Sequence, residues 1–455
     1  MSSRQTVDVA AAIDAAPLSR FQIKTIALCF ILAMVDGFDT QSIAFVAPAI
    51  AEIWQTPFSE FGPVFGLGLL GSTIGTLAFG LSGDRHGRKM AVLMSVVIFG
   101  IGSLTTIWAT SLQELMVLRF FTGIGLGGAL PNIIALASEY APRQRRASLV
   151  TMMFCGFPLG AVAGGIISAK LIPAFGWESV FILGAVLALA VVPIVGIALP
   201  ESIRILASRP TETERAAAIM RQISPSLPAG PDVTYTLSET AYPNASVKHL
   251  FTENRGAGTV CLWVMFFMTL LLSYFLVNWL PLVLRQAGFP LEKAVLGTVV
   301  LNAGGIVGCI VLGRLIDRHG AYKIIAPAYV LGAFFIAGIG MTATAPSATM
   351  AVIFMAGFFA IGAQFSAVAL ASSYYATSIR ATGVGWSMGV GRVGSMIGPV
   401  VGGVLVGAGL SMQGLFLMAA MTPVLAGTAV FLMSRFNPTA KDSSGDAERA
   451  PQPQH

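Results

Sequence analysis

Long apolar stretches recur along the whole 455-residue chain, and they constrain its fold more than any other feature. Crossing a bilayer as a helix takes about 20 mostly apolar residues. Only 11% of the residues are charged and 55% are hydrophobic, whereas soluble domains have about 25% charged residues. We therefore expect an all-α protein in the lipid bilayer. Its twelve predicted membrane helices are residues 23–48, 60–82, 90–109, 113–138, 147–170, 178–199, 258–283, 293–315, 323–343, 348–373, 383–408 and 412–434.

A long polar segment divides these stretches into two sets of six. It covers residues 200–256 and is rich in Pro, Ser, Thr and charge. The predicted domains are a cytoplasmic tail at 1–22, a six-helix bundle at 23–199, a cytoplasmic linker at 200–256, a second six-helix bundle at 257–434 and a cytoplasmic tail at 435–455. The composition of the last segment predicts disorder.

Basic residues indicate the orientation. Lys and Arg cluster at 85–89, 143–146 and 314–323, in the linker, at Arg380 and at both ends of the chain. Cytoplasmic loops carry such an excess, so we predict that both termini and the linker are cytoplasmic. The net charge of +6 comes without a basic stripe interleaved with aromatic residues, and we expect no nucleic-acid partner.

The two halves of the chain repeat each other. "GLSGDRHGRK" at 80–89 matches "GRLIDRHGAY" at 313–322 in five positions, and "ALASEYAPRQRRAS" at 135–148 matches "ALASSYYATSIRAT" at 369–382 in seven. The offsets are 233 and 234 residues, which indicates a duplication. The sequence therefore predicts two pseudo-symmetric six-helix bundles. Carriers of this kind alternate access to a site between their halves.

The loop at 80–89 resembles the G-x-x-x-D-R-x-G-R-K signature of the major facilitator superfamily, and its copy keeps an Asp-Arg pair. An acid there can interact with a helix N-terminus and pair with a neighbouring Arg. The resemblance implies a conformational latch on the cytoplasmic side, and the alternative is a basic loop that only sets orientation. The latch candidates are Gly80, Asp84, Arg85, Arg88, Glu139, Asp317, Arg318 and Arg380.

Ionisable residues lie deep in the first half. Each costs at least about 2.5–3.5 kcal/mol at the bilayer centre, which makes it a functional candidate. At about 1.5 Å per residue, Asp36 and Asp39 reach depths similar to that of Arg119, and an ion pair would offset the cost. The two acids share one helix face, and their repulsion favours one held proton. We predict proton coupling by Asp36, Asp39 and Arg119, with a structural ion pair as the alternative.

Arg392 lies about 14 Å into the eleventh stretch, near the midplane. Glycines flank it, and its half of the chain has no matching acid. A guanidinium in that position suits a carboxylate substrate. The alternative is pairing with a backbone carbonyl at a helix break.

Further motifs narrow the resemblance. "DGFD" at 36–39, "LRFFTGIGLGGALPNIIALASEYAP" at 118–142, "NWLPLVLRQAG" at 278–288 and "SIRATGVGWSMGVGRVGSMIGP" at 378–399 are similar to the aromatic acid:proton symporter family. The resemblance implies a proton-coupled symporter in the cytoplasmic (inner) membrane. We expect it to work as a monomer. It would import a monocyclic aromatic carboxylate such as 4-hydroxybenzoate, protocatechuate or benzoate for catabolism. The alternatives are another organic anion as substrate, or efflux.

An aromatic ring needs an apolar wall with a few polar groups. Besides Arg392 and Asp39, the substrate-binding candidates are Tyr274, Asn278, Trp279, Gln364, Phe365 and Trp386. The alternative for each is packing or lipid contact.

The sequence has four His without a metal-binding cluster and no Gly-Lys-Ser/Thr phosphate loop. We therefore expect no enzyme, no cofactor and no ATP, with the proton gradient as the energy source.

Overall fold

The computed structural model describes residues 5–224, 233–236, 247–252, 255–342, 345–375 and 379–436. Most of the predicted C-terminal tail, 437–455, lies outside the described residues. So do residues 1–4 and parts of the predicted linker, including 225–232 and 237–246.

Membrane-length helices make up most of the described chain. Twelve helical stretches are long and apolar enough to cross a bilayer, with Ser148–Phe175 and Pro346–Tyr374 each counted as one, and this confirms the predicted number. The elements in chain order are β1 (Gln5–Asp8), α1 (Val9–Ala15), α2 (Arg20–Ile53), α3 (Phe61–His86), α4 (Arg88–Thr106), α5 (Leu112–Tyr140), α6 (Arg146–Phe154), α7 (Gly156–Phe175), α8 (Glu178–Ala198), α9 (Ile203–Ser208), α10 (Thr213–Ile223), β2 (Val233–Thr236), α11 (Gly256–Gln286), α12 (Leu291–His319), α13 (Ala321–Met341), α14 (Pro346–Ala356), α15 (Gly362–Tyr374), α16 (Arg380–Gly407) and α17 (Met412–Phe436).

Several helices extend past the apolar stretches that predicted them, because capping residues fix their ends. At the start of α2, Ser19 Oγ accepts a hydrogen bond from Gln22 N at 3.3 Å, and Gln22 Oε1 accepts one from Ser19 N at 2.8 Å. This reciprocal pair is a capping box. At the end of α3, Gly87 adopts a φ of +126°, which stops the helix. Hydropathy alone contains neither signal.

The described chain divides into two compact units. The first six membrane helices belong to the first unit, and the last six belong to the second except for residues 290–299. In the first unit, a core of buried side chains that includes Phe99, Ile133 and Leu136 joins the membrane helices to α9 and α10. The second unit has its own core, which includes Phe266, Tyr329 and Leu370.

Glycine contacts reveal the duplication in the packing of each unit. In the first unit, a Cβ added to Gly160 on α7 would collide with the carbonyl oxygen of Met34 on α2. In the second unit, a Cβ added to Gly394 on α16 would collide with the carbonyl oxygen of Phe267 on α11. The offsets between these residues are 234 and 233, the same offsets as in the sequence repeat. Small residues let helix backbones approach this closely.

A second helix pair repeats in the same way. A Cβ at Gly71 on α3 would meet the carbonyl oxygen of Phe120 on α5, and a Cβ at Gly304 on α12 would meet that of Phe354 on α14. The turns that end α3 and α12 repeat as well, since Gly87 and its counterpart Gly320 both have positive φ, +126° and +86°. The predicted pseudo-symmetry of the two bundles is therefore confirmed.

A small parallel sheet joins the N-terminal segment to the linker. Strand β1 pairs with β2, and Val7 lies opposite Tyr235 with both side chains buried. Asp8 then caps α1 by accepting hydrogen bonds from Ala10 N at 2.8 Å and Ala11 N at 3.2 Å. The prediction of a polar tail and linker did not include these strands, because four residues are too short to show an alternating pattern.

Candidate functional site: a buried charge cluster

The two acids of α2 lie beside its contact with α7. Gly37 makes this contact possible, because a Cβ there would collide with the carbonyl group of Phe157. Asp36 is 2% exposed and Asp39 is 1% exposed. Close helix packing therefore encloses both carboxyl groups within the first unit.

The surroundings of Asp39 come from three other helices. Ser103 on α4 donates its hydroxyl hydrogen to Asp39 Oδ1. Gly184 on α8 leaves room for the carboxylate, since an added Cβ would lie 2.8 Å from Oδ1. The opposite charge that acts on Asp39 is that of Arg119 on α5. Within the described residues, the buried Oδ2 of Asp39 has no hydrogen-bond partner.

Arg119 is held by hydroxyl groups and an aromatic ring. Its Nη2 donates to Thr106 Oγ1 at 2.6 Å and to Thr122 Oγ1 at 3.3 Å. The guanidinium carbon lies 4.5 Å from the ring centroid of Phe181, which is cation–π distance. Arg119 is only 4% exposed, so the structure brings Asp39 and Arg119 into one buried cluster. The hydrogen bonds of Arg119 nevertheless go to hydroxyls, where the sequence had suggested a direct ion pair.

Asp36 has a different environment from Asp39. Its Oδ1 accepts a hydrogen bond of 3.3 Å from Thr40, one turn further along the same helix. The role of Asp36 in proton coupling stays a prediction, and so do the roles of Asp39 and Arg119.

Sequence reasoning missed the uncharged members of this cluster. Ser103 and Thr106 lie three residues apart on α4, and hydroxyls at that spacing share one helix face. That spacing in an apolar stretch was the available signal. Thr122 follows Arg119 by three residues on α5, so the same spacing was available there. Phe181 gave no such signal, because only the tertiary arrangement brings α8 to Arg119.

The amides predicted to bind substrate lie in the second unit. Ser273 on α11 donates its hydroxyl hydrogen to Gln364 Oε1 on α15, which points the amide nitrogen of Gln364 away from Ser273. A π-helical turn at Gly357–Ile361 precedes α15 and shifts its helical phase. Asn278 Nδ2 donates to the carbonyl oxygen of Tyr274 at 2.7 Å.

The two tryptophans predicted to bind substrate differ in exposure. Trp279 Nε1 donates to the carbonyl oxygen of Pro399 at 2.8 Å, and the side chain is 1% exposed. This packing uses the indole N–H and covers the ring, which argues against the predicted substrate contact. Trp386 is 47% exposed and stacks on Trp263, with ring centroids 6.1 Å apart.

Arg392 and Phe365 are both partly buried in the second unit. Arg392 lies between glycines of α16, and a Cβ at Gly391 would crowd Leu270 while one at Gly394 would collide with Phe267. Ser395 Oγ donates to the carbonyl oxygen of Arg392 at 2.7 Å. The helix backbone at Arg392 is therefore held close to α11.

Three predicted latch residues of the first unit, Asp84, Arg88 and Glu139, form a connected network. Arg88 Nη2 lies 3.1 Å from Asp84 Oδ1, and Arg88 Nε lies 2.9 Å from Glu139 Oε1. Ser202 Oγ donates to Glu139 Oε2 at 2.5 Å. The carbonyl oxygen of Arg85 accepts a separate hydrogen bond from Arg209 Nη2 at 2.6 Å.

Glu201 belongs to this network and was not predicted. Its Oε1 accepts from Lys89 N at 3.1 Å, at the start of α4, and its carbonyl oxygen accepts from Tyr140 Oη at 2.5 Å. A carboxylate at a helix N-terminus is favoured by the helix dipole. The available signal was an acid two residues after the sixth apolar stretch.

The remaining latch candidates make weaker or different contacts. Arg380 Nε donates to the carbonyl oxygen of Tyr375 at 3.3 Å, which repeats the 3.4 Å bond from Arg146 to Ala141. Asp317 and Arg318 lie in the last turn of α12. Gly80, also a latch candidate, has open space around it, because a Cβ added there would have no described atom of another residue within 4 Å outside its own helix backbone.

Comparison with known proteins agrees with this architecture. The chain matches the Major Facilitator Superfamily over residues 29–378 and 310–453. It is 39% identical to the gallate transporter of Pseudomonas putida over 425 residues, which cover 93% of this chain and 94% of that protein. It is 38% identical to the 4-hydroxybenzoate transporter PcaK of Acinetobacter baylyi over 438 residues, which cover 95% of each chain.

A solved structure shows the same fold. The xylose transporter XylE of E. coli, in a partially occluded inward open conformation, matches with a TM-score of 0.72 and 18% identity over 92% of this chain and 98% of that one. This likeness shows the fold, whereas the two sequence relatives show the family. The chain therefore belongs to the major facilitator superfamily, in the family of these gallate and 4-hydroxybenzoate transporters, and it is a multi-pass membrane transporter and not an enzyme.

Proposed function

We propose that the protein is a proton-coupled symporter that imports a monocyclic aromatic carboxylate by alternating access. The substrate class is that of 4-hydroxybenzoate, protocatechuate and benzoate. The observation that carries the proposal is the buried cluster of Asp39 and Arg119. It occurs in a chain whose relatives are named as transporters of gallate and 4-hydroxybenzoate.

Import of an anion against the membrane potential requires coupling. An inside-negative potential opposes entry by about 2.3 kcal/mol per charge per 100 mV. One proton carried with each carboxylate cancels that cost, and the buried Asp39 supplies a group that can hold it. The proton gradient is then the energy source, and the protein needs neither ATP nor a cofactor.

The second unit supplies groups suited to an aromatic acid. We assign the substrate carboxylate to Arg392, because a planar guanidinium matches a carboxylate with two parallel hydrogen bonds. Ser273 donates to the amide oxygen of Gln364, so the amide nitrogen is the group that faces away from Ser273. This nitrogen can donate a hydrogen bond to a ring hydroxyl. Tyr274 and Phe365 are the aromatic side chains proposed for the ring, while the packing of Trp279 leaves that residue out.

We also propose a cytoplasmic-membrane location with both termini in the cytoplasm, and a monomer as the working form. The basic clusters at 85–89 and 143–146 support the orientation. The network of Arg88, Asp84 and Glu139 is then on the cytoplasmic side, where it would stabilise one state of the transport cycle.

Uptake by purified protein in proteoliposomes tests the function. The panel contains radiolabelled 4-hydroxybenzoate, protocatechuate, benzoate and gallate, with succinate and xylose as comparisons, under an inward proton gradient. We expect the aromatic acids to accumulate and a protonophore to abolish accumulation. Asp39→Asn should abolish gradient-driven accumulation, and Glu60→Gln, which changes an exposed acid outside the cluster, should not.

Two results would contradict separate parts of the proposal. Accumulation that a protonophore leaves unchanged would exclude proton symport. Uptake of xylose or succinate without uptake of aromatic acids would exclude the substrate class.

A further inference from the structure

We propose that Ser103 is a positioning residue that prepares Asp39, and not Asp36, to carry the coupled proton. The proposal rests on the proton symport proposed above and specifies its proton site. Neither the sequence pattern nor the resemblance distinguished the two acids.

The two oxygens of Asp39 have unequal surroundings. Oδ1 accepts the hydroxyl hydrogen of Ser103, which fixes the rotation of the carboxyl group. Oδ2 is buried, and the described residues provide it with no hydrogen-bond partner. An unpartnered carboxylate oxygen is costly to bury, whereas the neutral acid is less so. Oδ2 is therefore where a proton from water would bond, converting the carboxylate into a neutral carboxylic acid.

Helix α4 holds both charges of the cluster. Ser103 donates to Asp39, and Thr106, three residues further on the same helix face, accepts from Arg119 at 2.6 Å. Arg119 is also held by Thr122 and by the ring of Phe181. Loss of the charge on Asp39 would therefore leave the guanidinium in place. Protonation changes the local charge while the geometry is kept.

Arg119 is the charge that acts on Asp39, and the groups that face Asp39 from the other neighbouring helices are uncharged. Gly184 on α8 and Ser103 on α4 are uncharged. On α7, the residues that contact this part of α2 include Phe157, Gly160 and Gly164, all uncharged. On α2 itself, Asp36 accepts from Thr40, one turn away, and has a further interaction. Asp36 thus has local partners, while Asp39 depends on α4 and α5.

Uptake as a function of pH tests the role of Ser103. In proteoliposomes, Ser103→Ala should still exchange labelled for unlabelled 4-hydroxybenzoate. Its gradient-driven uptake should become half-maximal about one pH unit higher, because a lost donor to the carboxylate favours the protonated form. Ser103→Thr keeps the hydroxyl and should restore the wild-type profile. Ser103→Cys, a weak donor of similar size, should give an intermediate shift.

Ser95 provides a matched control on the same helix. It is fully buried, and its Oγ has no hydrogen-bond partner among the described residues. Ser95→Ala should therefore leave the pH profile unchanged. An equal shift in Ser95→Ala and Ser103→Ala would show a general effect of helix packing and would overturn the proposal.

Infrared difference spectroscopy gives a second readout that does not depend on the substrate. A pH titration of the purified protein should reveal the carbonyl band of a buried protonated carboxyl group. Asp39→Asn should remove this band, Asp36→Asn should keep it, and Ser103→Ala should move its titration to higher pH. Loss of the band in Asp36→Asn instead would overturn the proposal. If the band behaves as expected but the protein takes up no aromatic acid, the proposed substrate is wrong and the assignment of the proton site to Asp39 stands.

Discussion

Arg88 at the start of α4 forms an ion pair with Glu139 near the end of α5, with 2.9 Å between Nε and Oε1. Glu139 is buried, and its other oxygen accepts the hydroxyl hydrogen of Ser202, just beyond the sixth membrane helix. This single carboxylate therefore joins two membrane helices to the start of the linker. Removing one partner of a buried ion pair is destabilising, because it leaves the other charge uncompensated.

Removal of Arg88 should destabilise the first unit. Arg88→Ala removes the ion pair between Arg88 Nε and the buried Glu139 carboxylate, which keeps Ser202 and Arg204 as partners. We expect a loss of about 1.5–3 kcal/mol in the free energy of unfolding. Thermal unfolding in detergent should show a Tm several degrees lower. Arg85→Ala in the same loop is the control, because that side chain is exposed. Equal Tm values for the two variants would contradict a structural role for the ion pair.

The close contact of α2 with α7 at Gly37, between the two acids, makes a second prediction. Gly37→Ala would force α2 away from the carbonyl group of Phe157, and overpacking of this kind costs about 1–3 kcal/mol. Since Asp36 and Asp39 flank Gly37, we expect lower gradient-driven uptake together with a lower Tm. Gly196→Ala on α8 is the control, because a Cβ there meets no described atom. The idea fails if Gly37→Ala transports at the wild-type rate.

Much of the fold follows from local sequence. Twelve apolar stretches predicted twelve membrane helices, because a bilayer requires long apolar helices for spanning segments. The repeated blocks predicted the pseudo-symmetry, which the packing of Gly160 and its counterpart Gly394 confirms. The strands β1 and β2 could not be predicted, since their pairing joins Val7 to Tyr235 across more than two hundred residues.

The site was less predictable than the fold. Charge in an apolar stretch identified Asp39 and Arg119, because charge is rare at that depth. The hydroxyl partners Ser103 and Thr106 are common residues in membrane helices, so their type indicated nothing by itself. Trp279 shows the opposite problem, since an aromatic residue that suits a ligand wall instead packs against Pro399. Only the tertiary arrangement decides such cases.

The N-terminal segment provides a third prediction. Asp14 Oδ1 accepts a hydrogen bond of 2.6 Å from Arg143 N, between α5 and α6. Asp14→Ala removes this acceptor, and we expect residues 5–15 to exchange their amide hydrogens several-fold faster, as measured by mass spectrometry. Asp14→Asn keeps a side-chain oxygen that can accept the bond and should exchange nearly as the wild type does. Unchanged exchange in Asp14→Ala would show that the sheet of β1 and β2 holds the segment without this bond.

The role assigned to Arg392 makes the last prediction. If its guanidinium binds the substrate carboxylate, Arg392→Ala should raise the KM for 4-hydroxybenzoate by about tenfold or more, since a charge-assisted hydrogen bond contributes about 1.5–3 kcal/mol. Arg392→Lys should recover only part of this loss, because an ammonium cannot form the two parallel hydrogen bonds. Arg314→Ala, an exposed residue of α12, should leave KM unchanged. Initial rates of uptake in proteoliposomes measure all three. A normal KM in Arg392→Ala would transfer the carboxylate site to another residue, and full recovery by Arg392→Lys would reduce its role to charge alone.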